Sequence, residues 1–176
     1  MREIIDRLLD ANRKYVSTGA YFGNISAERR KENGSGQKPC AVVMTCSDSR
    51  VVPEAIFSAG LGELFVIRTA GNVAGDSELA SLEYAVEHLH ALTVIVLGHT
   101  GCGAVHAALC GEFGGAVGLI TRRIKNAIGE ETDPNKACEL NVREGVRTIR
   151  KALGREDVTV VGAIYDIVSG KVGLLD

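Results

Sequence analysis

Four short stretches of the chain carry consecutive apolar, β-favouring residues rather than an alternation of apolar and polar ones: 41–45 (Ala-Val-Val-Met-Thr), 64–67 (Leu-Phe-Val-Ile), 93–97 (Thr-Val-Ile-Val-Leu) and 158–161 (Val-Thr-Val-Val). Unbroken runs of this length suit strands covered on both faces, so four buried strands are predicted. Between them the apolar spacing turns helical. Ile4, Ile5, Leu8, Leu9 and Asn12 open one amphipathic helix that Gly19 and Gly23 bring to a stop. Leu79, Leu82, Tyr84, Ala85, Val86 and Leu89 mark a second over 77–89, and a longer pattern covers 138–153. Residues 31–39 mix Gly, Ser and Pro as surface loops do and place a boundary before the first strand. Strands that alternate with helices predict an α/β fold: a mostly parallel central β-sheet flanked by helices. No internal repeat is visible.

Composition narrows the classes of function. With 176 residues the chain can bury a sizeable core as one domain, and 45% hydrophobic with 24% charged residues is the ordinary balance of a globular protein. A net charge of -2 offers no basic footprint for phosphates, so a small-molecule substrate is expected and nucleic acid is not. The run 91–97 ends at Gly98 and His99, far short of a membrane span, so no membrane role is expected. The first residues mix both charge signs without the apolar stretch of a secretory signal, which predicts a cytoplasmic protein. Five cysteines, an odd number, argue for thiols that are reduced, buried or metal-bound.

In open α/β sheets ligands bind beyond the carboxyl ends of the strands. The first predicted strand runs into Cys46-Ser47-Asp48-Ser49-Arg50, and the third into Gly98-His99-Thr100-Gly101-Cys102-Gly103. Cys46, Asp48, His99 and Cys102 would make a full tetrahedral set for zinc, a borderline-soft ion that favours thiolate and imidazole. The glycines of the second segment would let backbone bend closely around a metal. The alternative is that Cys46 and Cys102 are small buried hydrophobes and His99 a hydrogen-bonded core histidine. That alternative leaves Asp48 and Arg50 to pair with each other.

The segments 46–54 (Cys-Ser-Asp-Ser-Arg-Val-Val-Pro-Glu) and 98–104 (Gly-His-Thr-Gly-Cys-Gly-Ala) resemble the two signature motifs of the β-carbonic anhydrases. Segments 62–72, 81–86 and 162–166 are similar to further parts of that family, so the resemblance runs from about residue 36 to residue 173. It implies one domain, with an N-terminal helical arm and loop over 1–35 and a catalytic core over 36–176. It implies one Zn2+ per subunit on Cys46, His99 and Cys102, with water, hydroxide or Asp48 in the fourth position. The activity implied is reversible hydration of carbon dioxide to bicarbonate and a proton by zinc-bound hydroxide. Arg50 would hold Asp48 off the metal, making Asp48 a gate and giving turnover that rises with pH. Gln37, Phe65 and Tyr84 occupy the positions that contact substrate, partly from a neighbouring subunit, which implies a homodimer or higher homo-oligomer whose N-terminal helix packs on that neighbour. Ordinary core packing is the alternative for Phe65 and Tyr84.

Thr69 stands where most members have Asn, and Val43 where one regulated subgroup has Trp in a bicarbonate pocket, although Arg68 and Tyr165 match the rest of that pocket. Bicarbonate inhibition by that route is therefore not expected. Cys40, Cys110, Cys138, His88, His90 and His106 read as packing or surface residues, with His106 four positions after Cys102 and so on its helix face. The glycine order around His99 is not the dinucleotide fingerprint, and the elements of a zinc nucleobase deaminase are absent. Two alternatives within the fold remain: a non-catalytic zinc protein closed by Asp48, and a hydrolase of carbon disulfide or carbonyl sulfide.

Overall fold

In a computed structural model, which describes residues 2–175, five strands form one sheet in the order β2-β1-β3-β4-β5. They are β1 (Ala41–Thr45), β2 (Leu64–Arg68), β3 (Thr93–His99), β4 (Thr159–Tyr165) and β5 (Val172–Leu175). The first four run parallel; β5 turns back along β4. Every residue of β1 and β3 is buried, as their unbroken apolar runs require. β2 departs from the expected burial: it lies at the sheet edge, and only Ile67 of its five residues is buried. β5 was not anticipated, because Val-Gly-Leu-Leu is short, contains glycine and pairs on one side only.

Helices cover both faces. Alternation along β1 sends Val42 and Met44 to one layer, with Leu82, Ala85 and Val86 of α4 (Asp76–Leu89) and Val142, Val146 and Ile149 of α7 (Pro134–Leu153). Ala41 and Val43 go to the other, against Leu8 of α1 (Arg2–Thr18) and Ile56 of α3 (Pro53–Ile56). Asn12, buried on α1, donates to the carbonyls of Ile56 (3.1 Å) and Gly170 (2.9 Å) and accepts from the Val172 amide (2.9 Å). One face of α1 thus packs on its own chain. Ser26 caps a short α2 (Ala27–Glu32) by accepting from the Arg29 amide, so the expected loop at 31–39 begins inside a helix and a 3₁₀ turn, Asn33–Ser35.

Two further helices, α5 (Gly103–Leu109) and α6 (Gly118–Ile128), complete the layer above the strand ends. The α7 helix starts at Asp133, whose carboxylate accepts from the Lys136 amide, and ends on left-handed Gly154. It lies close to β3 and β4 because both strands present glycine to it. A Cβ on Gly98 would stand 2.4 Å from Val142 Cγ2, and one on Gly162 2.9 Å from Val142 Cγ1.

Candidate metal centre

The sheet order puts its switch point between β1 and β3: the chain leaves β1 toward one edge and β3 toward the other. Cys46 follows β1 directly, His99 ends β3, and Cys102 caps the start of α5. Thr45 ties the two strand ends by donating its hydroxyl to the Leu97 carbonyl at 2.7 Å. Cys46 Sγ and Cys102 Sγ stand 4.0 Å apart, and the ligand atoms of Cys46, His99 and Cys102 all lie within 4.8 Å of one another. All three residues are buried, and all five cysteines are thiols rather than disulfides.

His99 supplies the test of whether this cluster suits a metal. Its ring is fully buried; Nδ1 lies 3.0 Å from the Thr100 carbonyl, which can only accept, so Nδ1 carries a proton toward it. Nε2 is left buried without a hydrogen-bond partner beside two sulfur atoms. An orphaned ring nitrogen at that depth is costly, and an ion bound by two sulfurs and this nitrogen removes the cost. The donor set, two sulfurs and one imidazole, fits zinc.

The contact with Cys102 draws the Cys46 thiol down against the upward push of burial, helped by the His99 imidazole and by the amides of Asp48 and Gly71. Cys102 is pushed up, first by that shared contact, then by burial and the charge of Cys46. Burial pulls His99 down, but the neighbouring Cys46 sulfur, the Thr100 carbonyl and Asp48 leave it above its ordinary value. Thr100 is itself anchored: its hydroxyl donates to Asp166 (3.3 Å) and accepts from the Ile167 amide (3.2 Å).

Asp48 sits at the rim, with Oδ2 3.9 Å from His99 Nε2. Arg50 grips it with two parallel bonds, Nε to Oδ1 at 2.9 Å and a terminal nitrogen to Oδ2 at 2.7 Å, and its backbone amide adds a third at 3.0 Å. These bonds hold the Asp48 carboxyl well below the ordinary carboxylate range. The same guanidinium reaches the Gly101 carbonyl at 3.2 Å, bridging the two strand-end loops.

Arg68 donates to the carbonyls of Cys46 (3.1 Å) and Asp48 (2.7 Å), so it braces the first loop. Val43 is core, packed with Tyr165, and the Thr69 hydroxyl is buried without a partner. His106 does not join the cluster: it is exposed, its Nε2 3.6 Å from Cys110 Sγ, because Val105 and Ala108 take the buried face of α5. Cys138 is buried with Cys46 and Cys102 in one apolar cluster. Phe65 and Tyr84 stand together away from these groups, ring centroids 6.3 Å apart, Tyr84 exposed; Gln37 lies in an exposed groove with Arg29 and Glu32. Among the described residues no hydrogen bond or ring contact joins these three to the cluster.

Sequence reasoning missed two contributors because neither is a metal-ligand type. The Gly71 amide donates to Cys46 Sγ at 3.2 Å, and Asn141 donates to the Gly71 carbonyl at 2.8 Å. A cleft of about 350 Å³ lined by Asn72, Leu79, Arg123, Asn141 and Thr148 includes none of the three ligands.

A family model for carbonic anhydrase matches residues 41–172. Carbonic anhydrase 2 of Mycobacterium tuberculosis is 34% identical over 186 aligned positions, covering 96% of this chain and 90% of its own length. The carbonic anhydrase of Pseudomonas aeruginosa is 32% identical, with 100% and 88% covered. Among solved structures, a β-carbonic anhydrase of Aspergillus fumigatus superposes with a TM-score of 0.72 at 30% identity over 85% of each chain. Tetrameric β-carbonic anhydrases of Sordaria macrospora give 0.73 at 26% identity, covering 99% and 95%. Because the match runs from the start of β1 to the start of β5, through every element that shapes the cysteine and histidine cluster, this chain belongs to the carbonic anhydrase family, in the β class of its structural neighbours.

Proposed function

We propose that this chain catalyses the reversible hydration of carbon dioxide to bicarbonate and a proton, using one zinc ion per subunit held by Cys46 Sγ, His99 Nε2 and Cys102 Sγ. The observation that carries the reading is the buried, unpartnered His99 Nε2 facing two cysteine sulfurs beside a clamped carboxylate. Zinc so held supplies Lewis acidity that makes water nucleophilic near neutral pH.

The chain's own residues do the rest. Asp48 stays ionised, since Arg50 holds it far below neutrality, so it is a poor proton acceptor. Its work is to accept a hydrogen bond and orient the attacking water, and the proton released passes to solvent. Arg50 occupies both carboxylate oxygens, which keeps Asp48 from turning in to ligate the metal; this favours a working enzyme over a permanently closed zinc protein. Arg68 fixes the loop that carries Cys46 and Asp48.

The enzyme acts as a cytoplasmic homodimer or larger homo-oligomer. In support, β2 is a half-buried sheet edge presenting Phe65 beside exposed Tyr84, and relatives described as tetrameric share the fold. A second copy over that edge would bring Gln37, Phe65 and Tyr84 to a substrate pocket that one chain leaves unfinished.

Stopped-flow carbon dioxide hydration by metal-quantified protein, from about pH 6.5 to about pH 9, tests the reading, with chelated protein and Cys46→Ser as controls. Zinc-dependent turnover rising with pH, absent from both controls, is expected. Stoichiometric zinc with no hydration at any pH would reject it.

A further inference from the structure

We propose that Asn141 is a positioning residue for the metal centre: from α7 it holds the Gly71 turn in the orientation that aims the Gly71 N–H at Cys46 Sγ. The inference rests on the zinc reading above.

Two amides reach Cys46 Sγ. That of Asp48, at 3.4 Å, comes from the same strand-end loop, only two residues on; that of Gly71, at 3.2 Å, comes from a separate 3₁₀ turn, Ala70–Asn72, after β2. This turn is not self-supporting. Gly71 has φ 68° and ψ 21°, and Asn72 follows at φ 47°, so two successive residues sit in the left-handed region. Glycine leaves that region without penalty, and Asn72 gains by leaving it. Something outside must therefore hold the Gly71 peptides.

Within the turn, the Asn72 amide donates to the Thr69 carbonyl at 2.9 Å. From outside, Asn141 Nδ2 donates to the Gly71 carbonyl at 2.8 Å, a buried bond across 70 residues of sequence. Packing adds to it: a Cβ on Gly71 would stand 2.7 Å from Ile124 Cδ1 and 3.1 Å from Ala104 Cβ, leaving the turn no room to roll. Asn141 is only 5% exposed, and the next residue, Val142, is wedged between Gly98 and Gly162, so its backbone has a fixed depth above the sheet. The line from α7 to the metal is Asn141 Nδ2, the Gly71 carbonyl, the Gly71 N–H and Cys46 Sγ.

An N–H donated to a thiolate withdraws charge from sulfur and pre-orients it. Partners that orient metal ligands typically change metal affinity by about 10- to 100-fold when removed. Asn141 acts one bond further out, so a loss near the lower end, about tenfold, is expected.

The experiment compares wild type, Asn141→Ser and Asn12→Ser. Asn12 is a second buried, helix-borne asparagine, but its bonds go to Ile56, Gly170 and Val172. Zinc affinity is read by chelator competition, and the cobalt(II) form is read by its thiolate-to-metal charge-transfer band. Asn141→Ser should bind zinc about tenfold more weakly and move the band to lower energy as the sulfur regains charge. Asn12→Ser should melt earlier with affinity and band unchanged. Folded Asn141→Ser with wild-type affinity and band would overturn the proposal, as would an equal effect from Asn12→Ser. Should Asn141→Ser fail to fold, cadmium-113-loaded wild type with nitrogen-15 glycine decides: coupling between the metal and the Gly71 amide proton supports the N–H to sulfur link, and its absence rejects it. Wild type that binds no zinc would instead defeat the underlying reading.

Discussion

The depth of α7 over the sheet can be tested at Gly98. A methyl added there would meet Val142 Cγ2 at 2.4 Å and Ile164 Cδ1 at 3.1 Å. Carbon atoms rest at about 3.5–4.0 Å, so the first contact is short by more than about 1 Å. Val142 cannot turn aside, because its other methyl already faces Gly162, and the helix has to lift. Overpacking of this kind costs about 1–3 kcal/mol, which for a chain of this size is a fall in Tm of about 2–4 °C per kcal/mol. Val142→Ala alone removes two buried methyl groups, worth about 0.8 kcal/mol each before the cavity is counted, so about 2–3 kcal/mol in all. In the double variant Gly98→Ala, Val142→Ala the new methyl occupies space the valine vacates. Its cost should be close to that of one single variant rather than the sum, a coupling of about 2 kcal/mol. Urea unfolding at fixed protein and zinc concentration measures all three, since assembly and metal both shift apparent stability. A double variant that equals the sum of the singles within about 0.5 kcal/mol would refute the wedge.

Two further outcomes follow from the same geometry. In Arg50→Ala the Asp48 carboxyl loses the bonds that hold its pKa down and returns toward about 3.9. Since the folded value is depressed in wild type, the clamp's stabilising effect is present above about pH 4 and lost as pH falls through the folded value. The variant should therefore be less resistant to acid unfolding, and its hydration rate near neutrality should fall at least about tenfold, recovering toward alkaline pH where hydroxide competes better with the freed carboxylate; an unchanged neutral rate would contradict the gate. Asn12→Ser leaves one buried carbonyl, one partly buried carbonyl and one partly buried amide without their partner, a cost of roughly 3 kcal/mol. Hydrogen exchange should show lost protection in α1 and β5 together, and protection lost in α1 alone would count against the tie.

The parts of the fold that could be read from sequence are those where one residue's environment decides its type. β1 and β3 are buried on both faces, so from Ala41 to Met44 and from Val94 to Leu97 every position is apolar, and the run is unmistakable. β5 has one paired edge and mixed exposure, so Val-Gly-Leu-Leu carries no pattern. Helix α6 buries Thr121, Ile124 and Ile128 at helical spacing, but threonine and intervening charges blur the stripe. At the site, Cys46, Asp48, Arg50, His99 and Cys102 were legible because their chemistry is carried by side chains at strand ends. Gly71 was not, since it contributes a backbone amide, and neither was Asn141, whose only signal is a polar residue on the inner face of a helix. Arg68 was visible as a residue but not in its role, which depends on where two carbonyls point.

The hydrogen bonds of Asn12 also bear on how the chain comes into being. Its partners at Gly170 and Val172 lie 158 and 160 residues downstream. On the ribosome α1 is made before β5, so it cannot complete its bonding until β5 has left the exit tunnel. Until then two of the three hydrogen bonds of Asn12 have no partner. Docking of α1 is thus complete only after β5 is in place, and Asn12 closes a loop of chain that takes in the whole of the sheet.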